Sequence, residues 1–185
     1  SEWQVRELDI FREWCLPDLS DTEYREITSV LVNAIDQIPK AFMHRDFHCR
    51  NILLCQDDEL GVIDFQGAMH GPVTYDLVSL LHDCYVDNDK QWIVQAVRSF
   101  QQNLQSVGLP YAQVEPDEFL RWFDFAGLQR HLKCVGIFHR LKIRDGKPEY
   151  MNDVPRILGY IHQVLERHSE LETIKQLVEQ ATLLK

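Results

Sequence analysis

Between residues 41 and 65 the chain changes texture, and that change constrains the fold more than any other feature of its 185 residues. Ala41-Phe42-Met43, Ile52-Leu53-Leu54 and Val62-Ile63 are short apolar runs, and Asp57-Asp58-Glu59-Leu60-Gly61 is a polar turn between the last two. Apolar runs this short, bounded by turn residues, read as strands; together they read as a small β-hairpin region. On either side the apolar residues recur at helical spacing instead. Val5, Leu8, Phe11 and Cys15 share one face over residues 3–16, which Pro17 closes. Ser20 followed by Glu23 is a capping-box pattern, because hydroxyl and carboxylate can each satisfy a free amide of the first turn. The helix it opens carries Tyr24, Ile27, Val30, Leu31, Ala34 and Ile35 and stops near Pro39. From Tyr75 onward helices are predicted at about 74–85, 89–105, 116–143, 153–167 and 169–184, with Ser169 and Glu172 repeating the capping-box pattern. No repeat or low-complexity linker interrupts the chain. A single domain over residues 1–185 is expected, of α+β class and mostly α.

Composition removes several function classes. A formal net charge of −10 argues against nucleic acid as the main partner, since phosphate-backbone binding needs a basic surface. No window approaches 18 uncharged apolar residues, so no membrane span is expected. The N-terminal residues lack the basic and then apolar regions of a secretory signal. Five cysteines (Cys15, Cys49, Cys55, Cys84, Cys134) are odd in number and scattered, with no C-x-x-C pair. Neither a disulfide framework nor a thiolate zinc site is expected, and a reducing cytoplasm fits best.

The chemistry concentrates in His44-Arg45-Asp46-Phe47-His48-Cys49-Arg50-Asn51, followed by Val62-Ile63-Asp64-Phe65. The first run has the H-R-D-x-x-x-x-N spacing of a kinase catalytic loop, and the second ends an apolar strand on an aspartate. Phosphoryl transfer needs a carboxylate to orient a hydroxyl and accept its proton, a role that falls to Asp46. It also needs oxygen ligands for Mg²⁺, which the Asn51 amide and the Asp64 carboxylate supply. A single Asp is by default a turn or cap residue. Four specified residues in one short window, with a strand-Asp-Phe at hairpin distance, outweigh that default. His44 and His48 have no third ligand at suitable spacing and read as loop-stabilising side chains. Cys49 has no activating neighbour in the sequence and reads as a filler position. Thr74 is expected to cap the following helix. Asp76 is either a first-turn carboxylate favoured by the helix dipole or a tie for the loop. Phe119, Trp122, Phe123 and Phe125 read as core.

The run 43–53, then Gly61-Val62-Ile63-Asp64-Phe65-Gln66, then Gly71-Pro72-Val73-Thr74-Tyr75-Asp76-Leu77-Val78-Ser79-Leu80-Leu81 resembles the aminoglycoside phosphotransferase and choline kinase superfamily. Members commonly have Gly where this chain has Arg45. That arginine, the Asp-Phe-Gln and the Pro-x-Thr-Tyr-Asp segment look closest to the bacterial cell-wall-recycling kinases, which phosphorylate N-acetylmuramate and N-acetylglucosamine at the anomeric hydroxyl. The resemblance implies a protein-kinase-like C-terminal lobe whose β-hairpin region carries the catalytic and metal-binding loops. It implies Asp46 as base, Asn51 and Asp64 as ligands of Mg²⁺ beside ATP, and His44, Arg45, His48 and Asp76 as supports of the loop. The first glycine is Gly61 and the only lysine before Asp46 is Lys40, so no glycine-rich phosphate loop or strand-borne lysine precedes the site. The resemblance places those parts in an N-terminal nucleotide lobe missing from this chain, which alone is expected to bind nucleotide poorly. The implied partner is a small-molecule acceptor: an amino sugar, with a polycationic aminoglycoside or other small alcohol as the alternative. A non-catalytic binding module on a kinase-like fold is the rival of a different class.

Overall fold

The computed structural model describes residues 2–183. Among them, in chain order, are α1 (Glu2–Cys15), α2 (Asp21–Asp36), β1 (Lys40–Met43), β2 (Ile52–Leu54), β3 (Leu60–Val62) and β4 (Met69–Pro72). The helices α3 (Tyr75–Leu81), α4 (Lys90–Ser106), α5 (Pro116–Ile143), α6 (Val154–Arg167) and α7 (Glu172–Leu183) follow. The class is α+β and mostly helical, as expected. No helix is long and apolar enough to cross a membrane among the described residues, and none of the five cysteines is in a disulfide among the described residues. Internal contacts gather into two units: Ile38–Gly127, and the segments flanking it.

The flanking unit is helical. Ser20 Oγ accepts the Glu23 N–H at 3.3 Å, which caps α2 as its sequence predicts. Leu8, Phe11, Tyr24, Leu31, Ile35, Ile157, Ile161, Leu171, Ile174 and Val178 form its core. The Tyr24 hydroxyl donates to the Leu8 carbonyl at 2.9 Å, joining α2 to α1. Burial, the largest cause, pushes the Tyr24 phenol far above its ordinary pKa, so it remains a donor. Glu7 of α1 lies buried and accepts from Lys133 Nζ and Gln129 Nε2 of α5, each at 3.0 Å. The two helices approach closely at Gly136, where a Cβ would sit 2.7 Å from the Ile10 carbonyl and the Phe11 Cα. Those obstacles are backbone and cannot swing aside. Gly136→Ala is therefore expected to lower stability by about 1–3 kcal/mol despite alanine's better helix propensity. Urea unfolding checks this, and an unchanged midpoint would show that α1 yields without cost.

The central unit holds both sheets. β1 pairs antiparallel with β4 (Ala41 opposite Gly71, Met43 opposite Met69), and β2 pairs antiparallel with β3 (Ile52 opposite Val62). Asp57 and Asp58 turn the β2–β3 hairpin with φ of 61° and 59°, the paired positive values of a type I′ turn. The sequence reading treats 71–74 as a turn and does not anticipate β4. Gly71 gives β4 its fit, because a Cβ there would fall 2.4 Å from the Met43 side chain that lies across it. Phe119, Trp122, Phe123 and Phe125 of α5 are buried, as expected of core.

Three local expectations need correction. Helix α3 stops at Leu81 rather than near 85, because Asp83 leaves the helix to accept the Tyr85 N–H at 2.7 Å, and Asn88 Nδ2 donates to the Leu81 carbonyl at 2.9 Å. Thr74 stands at the N-cap of α3, yet its hydroxyl donates to the Trp122 carbonyl at 3.1 Å. Ser169 opens a single 3₁₀ turn, and α7 begins only at Glu172; residue 184 of that predicted helix lies outside the described residues.

Candidate active site

Strand β1 delivers the chain into the loop 44–51, and the loop is fastened where it begins. Asp76, in the first turn of α3, accepts the His44 N–H at 2.6 Å and the Arg45 N–H at 3.0 Å. Two amides on one carboxylate fix the entry of the loop, and the carboxylate also sits where the helix dipole favours negative charge. Arg45 adopts φ 78°, a left-handed conformation that a glycine enters without strain. This is the position at which the resembling kinases commonly carry Gly. Here the Arg45 side chain has a use of its own, since its Nη1 donates to the Gly67 carbonyl at 3.4 Å and ties the loop to the segment after Asp64. The buried His44 ring lies 3.0 Å from the Ile63 carbonyl through Nε2. A carbonyl only accepts, so Nε2 carries the proton.

Inside the loop, the Asp46 carbonyl accepts from the His48 N–H at 3.1 Å and from Asn51 Nδ2 at 2.9 Å. The Asn51 amide is thereby turned, its nitrogen bound and its oxygen free to face a ligand. No side-chain hydrogen bond engages the half-buried Asp46 carboxylate among the described residues, so its oxygens are available to an incoming hydroxyl. The β2–β3 ladder continues past its assigned ends with the Ile63 N–H on the Asn51 carbonyl at 3.1 Å. That bond sets Asn51 beside the strand that ends at Asp64. Asp64 has φ 67°, which swings its side chain out of the strand line, and one of its carboxylate oxygens accepts from Gln66 Nε2.

The donor set fits a hard cation. Asn51 and Asp64 offer oxygens, which suit Mg²⁺, and no group of three or more His, Cys, Asp or Glu placed to hold a metal occurs among the described residues. Two protein oxygens leave the remaining positions to phosphate and water, the usual manner of Mg²⁺ binding. Leu54 and Leu60, paired across the β2–β3 hairpin, and Phe65 are 73%, 70% and 65% exposed.

The middle of the loop meets residues that the motif reading does not include. Asp83 Oδ2 accepts the Cys49 N–H at 2.8 Å. The Tyr85 ring takes the Arg50 guanidinium on its face at 3.5 Å and the His48 ring edge-on at 5.5 Å. Burial first, and then its hydrogen bond to Asp83, push the Cys49 thiol up to about 11, so it is neutral near pH 7 and no nucleophile. The one available signal for Asp83 was an acidic residue directly after the apolar stretch of α3.

A model of the phosphotransferase enzyme family matches residues 1–110, more than half of the chain. The chain belongs to the phosphotransferase enzyme family. The relatives of this phosphotransferase-family chain include the N-acetylmuramate/N-acetylglucosamine kinase of Neisseria meningitidis, 37% identical over 185 residues, with 96% of this chain and 55% of the relative covered. The N-acetylmuramate/N-acetylglucosamine kinase of Pseudomonas aeruginosa is 37% identical over 181 residues, covering 94% and 53%. That of Caulobacter vibrioides is 28% identical over 169 residues, covering 86% and 42%. The chain spans about half the length of the curated relatives it matches.

Proposed function

We propose that the full-length protein containing this phosphotransferase-family chain transfers the γ-phosphoryl group of ATP to a hydroxyl of an amino sugar, N-acetylmuramate or N-acetylglucosamine. The observation that supports the reading is the loop itself: Asn51 Nδ2 is bound to the Asp46 carbonyl, and the Asn51 carbonyl accepts the Ile63 N–H one residue before Asp64. In the proposed reaction Asp46 accepts the proton of the sugar hydroxyl. The sugar oxygen bonds to the γ-phosphorus as the bridging bond to ADP breaks. Asn51 and Asp64 would hold Mg²⁺, which when bound neutralises phosphate charge. Asp76, His44 and Arg45 act by keeping the loop in place, since phosphoryl transfer depends mainly on positioning and charge stabilisation.

The relatives' activity as N-acetylmuramate/N-acetylglucosamine kinases supports the amino-sugar acceptor. Their additional length is where we place a nucleotide-holding lobe, making this chain the C-terminal, kinase-like lobe. The exposed apolar surface of Leu54, Leu60 and Phe65 is suited to being covered by that lobe and the nucleotide base. Five cysteines outside any disulfide favour a reducing, cytoplasmic setting.

ADP release by the full-length protein, with ATP, Mg²⁺ and a panel of acceptors, tests the reading. Turnover of N-acetylmuramate or N-acetylglucosamine above kanamycin and choline is expected. Preference for kanamycin would replace the acceptor, and no turnover on any acceptor would favour a binding module. Asp64→Asn is expected to weaken the Mg²⁺ requirement's half-saturation by at least the 10–100-fold that loss of an outer-shell partner costs. An unchanged Mg²⁺ titration would remove Asp64 from the metal site.

A further inference from the structure

We propose that Asp83 and Tyr85 form a second clamp on the catalytic loop, positioning residues that set Asp46 and Asn51 for phosphoryl transfer; the inference rests on the function proposed above. Asp83 is 1% exposed. A carboxylate buried to that degree needs hydrogen bonds to offset its lost water. It obtains them from two backbone amides: Cys49 N–H on Oδ2 at 2.8 Å, and Tyr85 N–H on Oδ1 at 2.7 Å. One side chain thus joins the catalytic loop to the turn after α3.

Tyr85 grips the positions on either side of Cys49. Its ring lies 3.5 Å under the Arg50 guanidinium, a cation–π contact, and meets the His48 ring edge-on with an interplanar angle of 78°. Residues 48, 49 and 50 are therefore all held from one place, and they are the residues that separate the end of Asp46-Phe47 from Asn51. Asp76 fixes the loop's entry at 44–45, and Asp83 with Tyr85 fixes its middle. The placement passes on through short internal bonds, His48 N–H to the Asp46 carbonyl at 3.1 Å and Asn51 N–H to the His48 carbonyl at 2.9 Å. The carboxylate of Asp83 ends on backbone amides of Cys49 and Tyr85, so the pair acts through the loop. Misplacement of a reacting group by about 1 Å can cost on the order of 100-fold in rate, which makes a clamp of this kind visible in kcat.

The test compares wild type, Asp83→Asn and Tyr85→Leu in the full-length protein, well below their melting temperatures. Asp83→Asn keeps the shape but turns an NH₂ group toward one of the two amides, so one of them loses its acceptor. Its kcat on the preferred amino sugar is expected to fall about 10–100-fold, with KM for ATP and sugar within roughly threefold. Tyr85→Leu leaves the buried carboxylate intact and is expected to lower kcat by several-fold in the same pattern. Amide hydrogen exchange at Cys49 is expected to speed up in both variants while Ile161 of α6 stays protected. An unchanged kcat, or an effect confined to KM, would overturn the proposal. If wild type turns over no sugar, the functional reading fails and exchange alone judges the clamp: faster exchange at Cys49 sustains it, and equal exchange overturns it. If Asp83→Asn does not fold, Tyr85→Leu decides by the same two readouts.

Discussion

Asp46→Asn in the full-length protein is expected to lower kcat for amino-sugar phosphorylation by about 10²–10⁴-fold, the range spanned by loss of a positioned general base. The substitution changes only the side chain's ability to accept a proton. The two hydrogen bonds that shape the loop at this residue, from His48 N–H and Asn51 Nδ2, both end on the Asp46 carbonyl and survive. The carboxylate is half-buried with no side-chain partner among the described residues, so no ion pair is lost and stability is expected to hold within about 0.5 kcal/mol. KM for ATP is expected to change little, because the Mg²⁺ ligands assigned here are Asn51 and Asp64. Steady-state kinetics beside a thermal melt separate the cases. A kcat within tenfold of wild type would mean that the hydroxyl proton leaves by another route.

Glu7→Ala is expected to destabilise the protein by about 3–5 kcal/mol, as loss of one member of a buried ion pair does. Glu7 and Lys133 are 6% and 10% exposed at their side chains, and removing Glu7 leaves an ammonium group with little water and a Gln129 amide without its acceptor. Since a domain's whole stability is about 5–15 kcal/mol, such a loss brings the helical unit near unfolding. The double substitution Glu7→Leu with Lys133→Met, which removes both charges and keeps the volume, is expected to recover most of the loss. Urea titrations of the three proteins supply the comparison. A cost below about 1 kcal/mol for Glu7→Ala would show that water reaches Lys133 readily.

What was legible in the sequence was periodic or local. Helices α1, α2, α4, α5 and α6 follow from apolar spacing, and their ends fall within a residue or a few of the expected ones. The position of the loop 44–51 after a short strand, and of Asp64 just beyond β3, follows from short apolar runs and turn residues. What was not legible depends on partners distant in the chain or on backbone groups, which carry no letter. β4 has the composition of a turn, Met69-His70-Gly71-Pro72, and becomes a strand because β1 needs a partner and Gly71 makes room for Met43. The early end of α3 and the grip on Cys49 are one event: Asp83 takes two backbone amides that no pattern announces. The Glu7–Lys133 pair joins residues 126 positions apart, and only folding brings them together. Arg45 is the reverse case, since its identity departs from the glycine common among the kinases it resembles, and its positive φ shows why glycine suits that position.

Phosphorus NMR of the full-length protein with ATP, Mg²⁺ and N-acetylglucosamine tests the central claim most directly. The account predicts ADP together with a sugar phosphate resonance, both strongly diminished over the same interval with Asp46→Asn. ADP with inorganic phosphate alone, or undiminished product from Asp46→Asn, would contradict it.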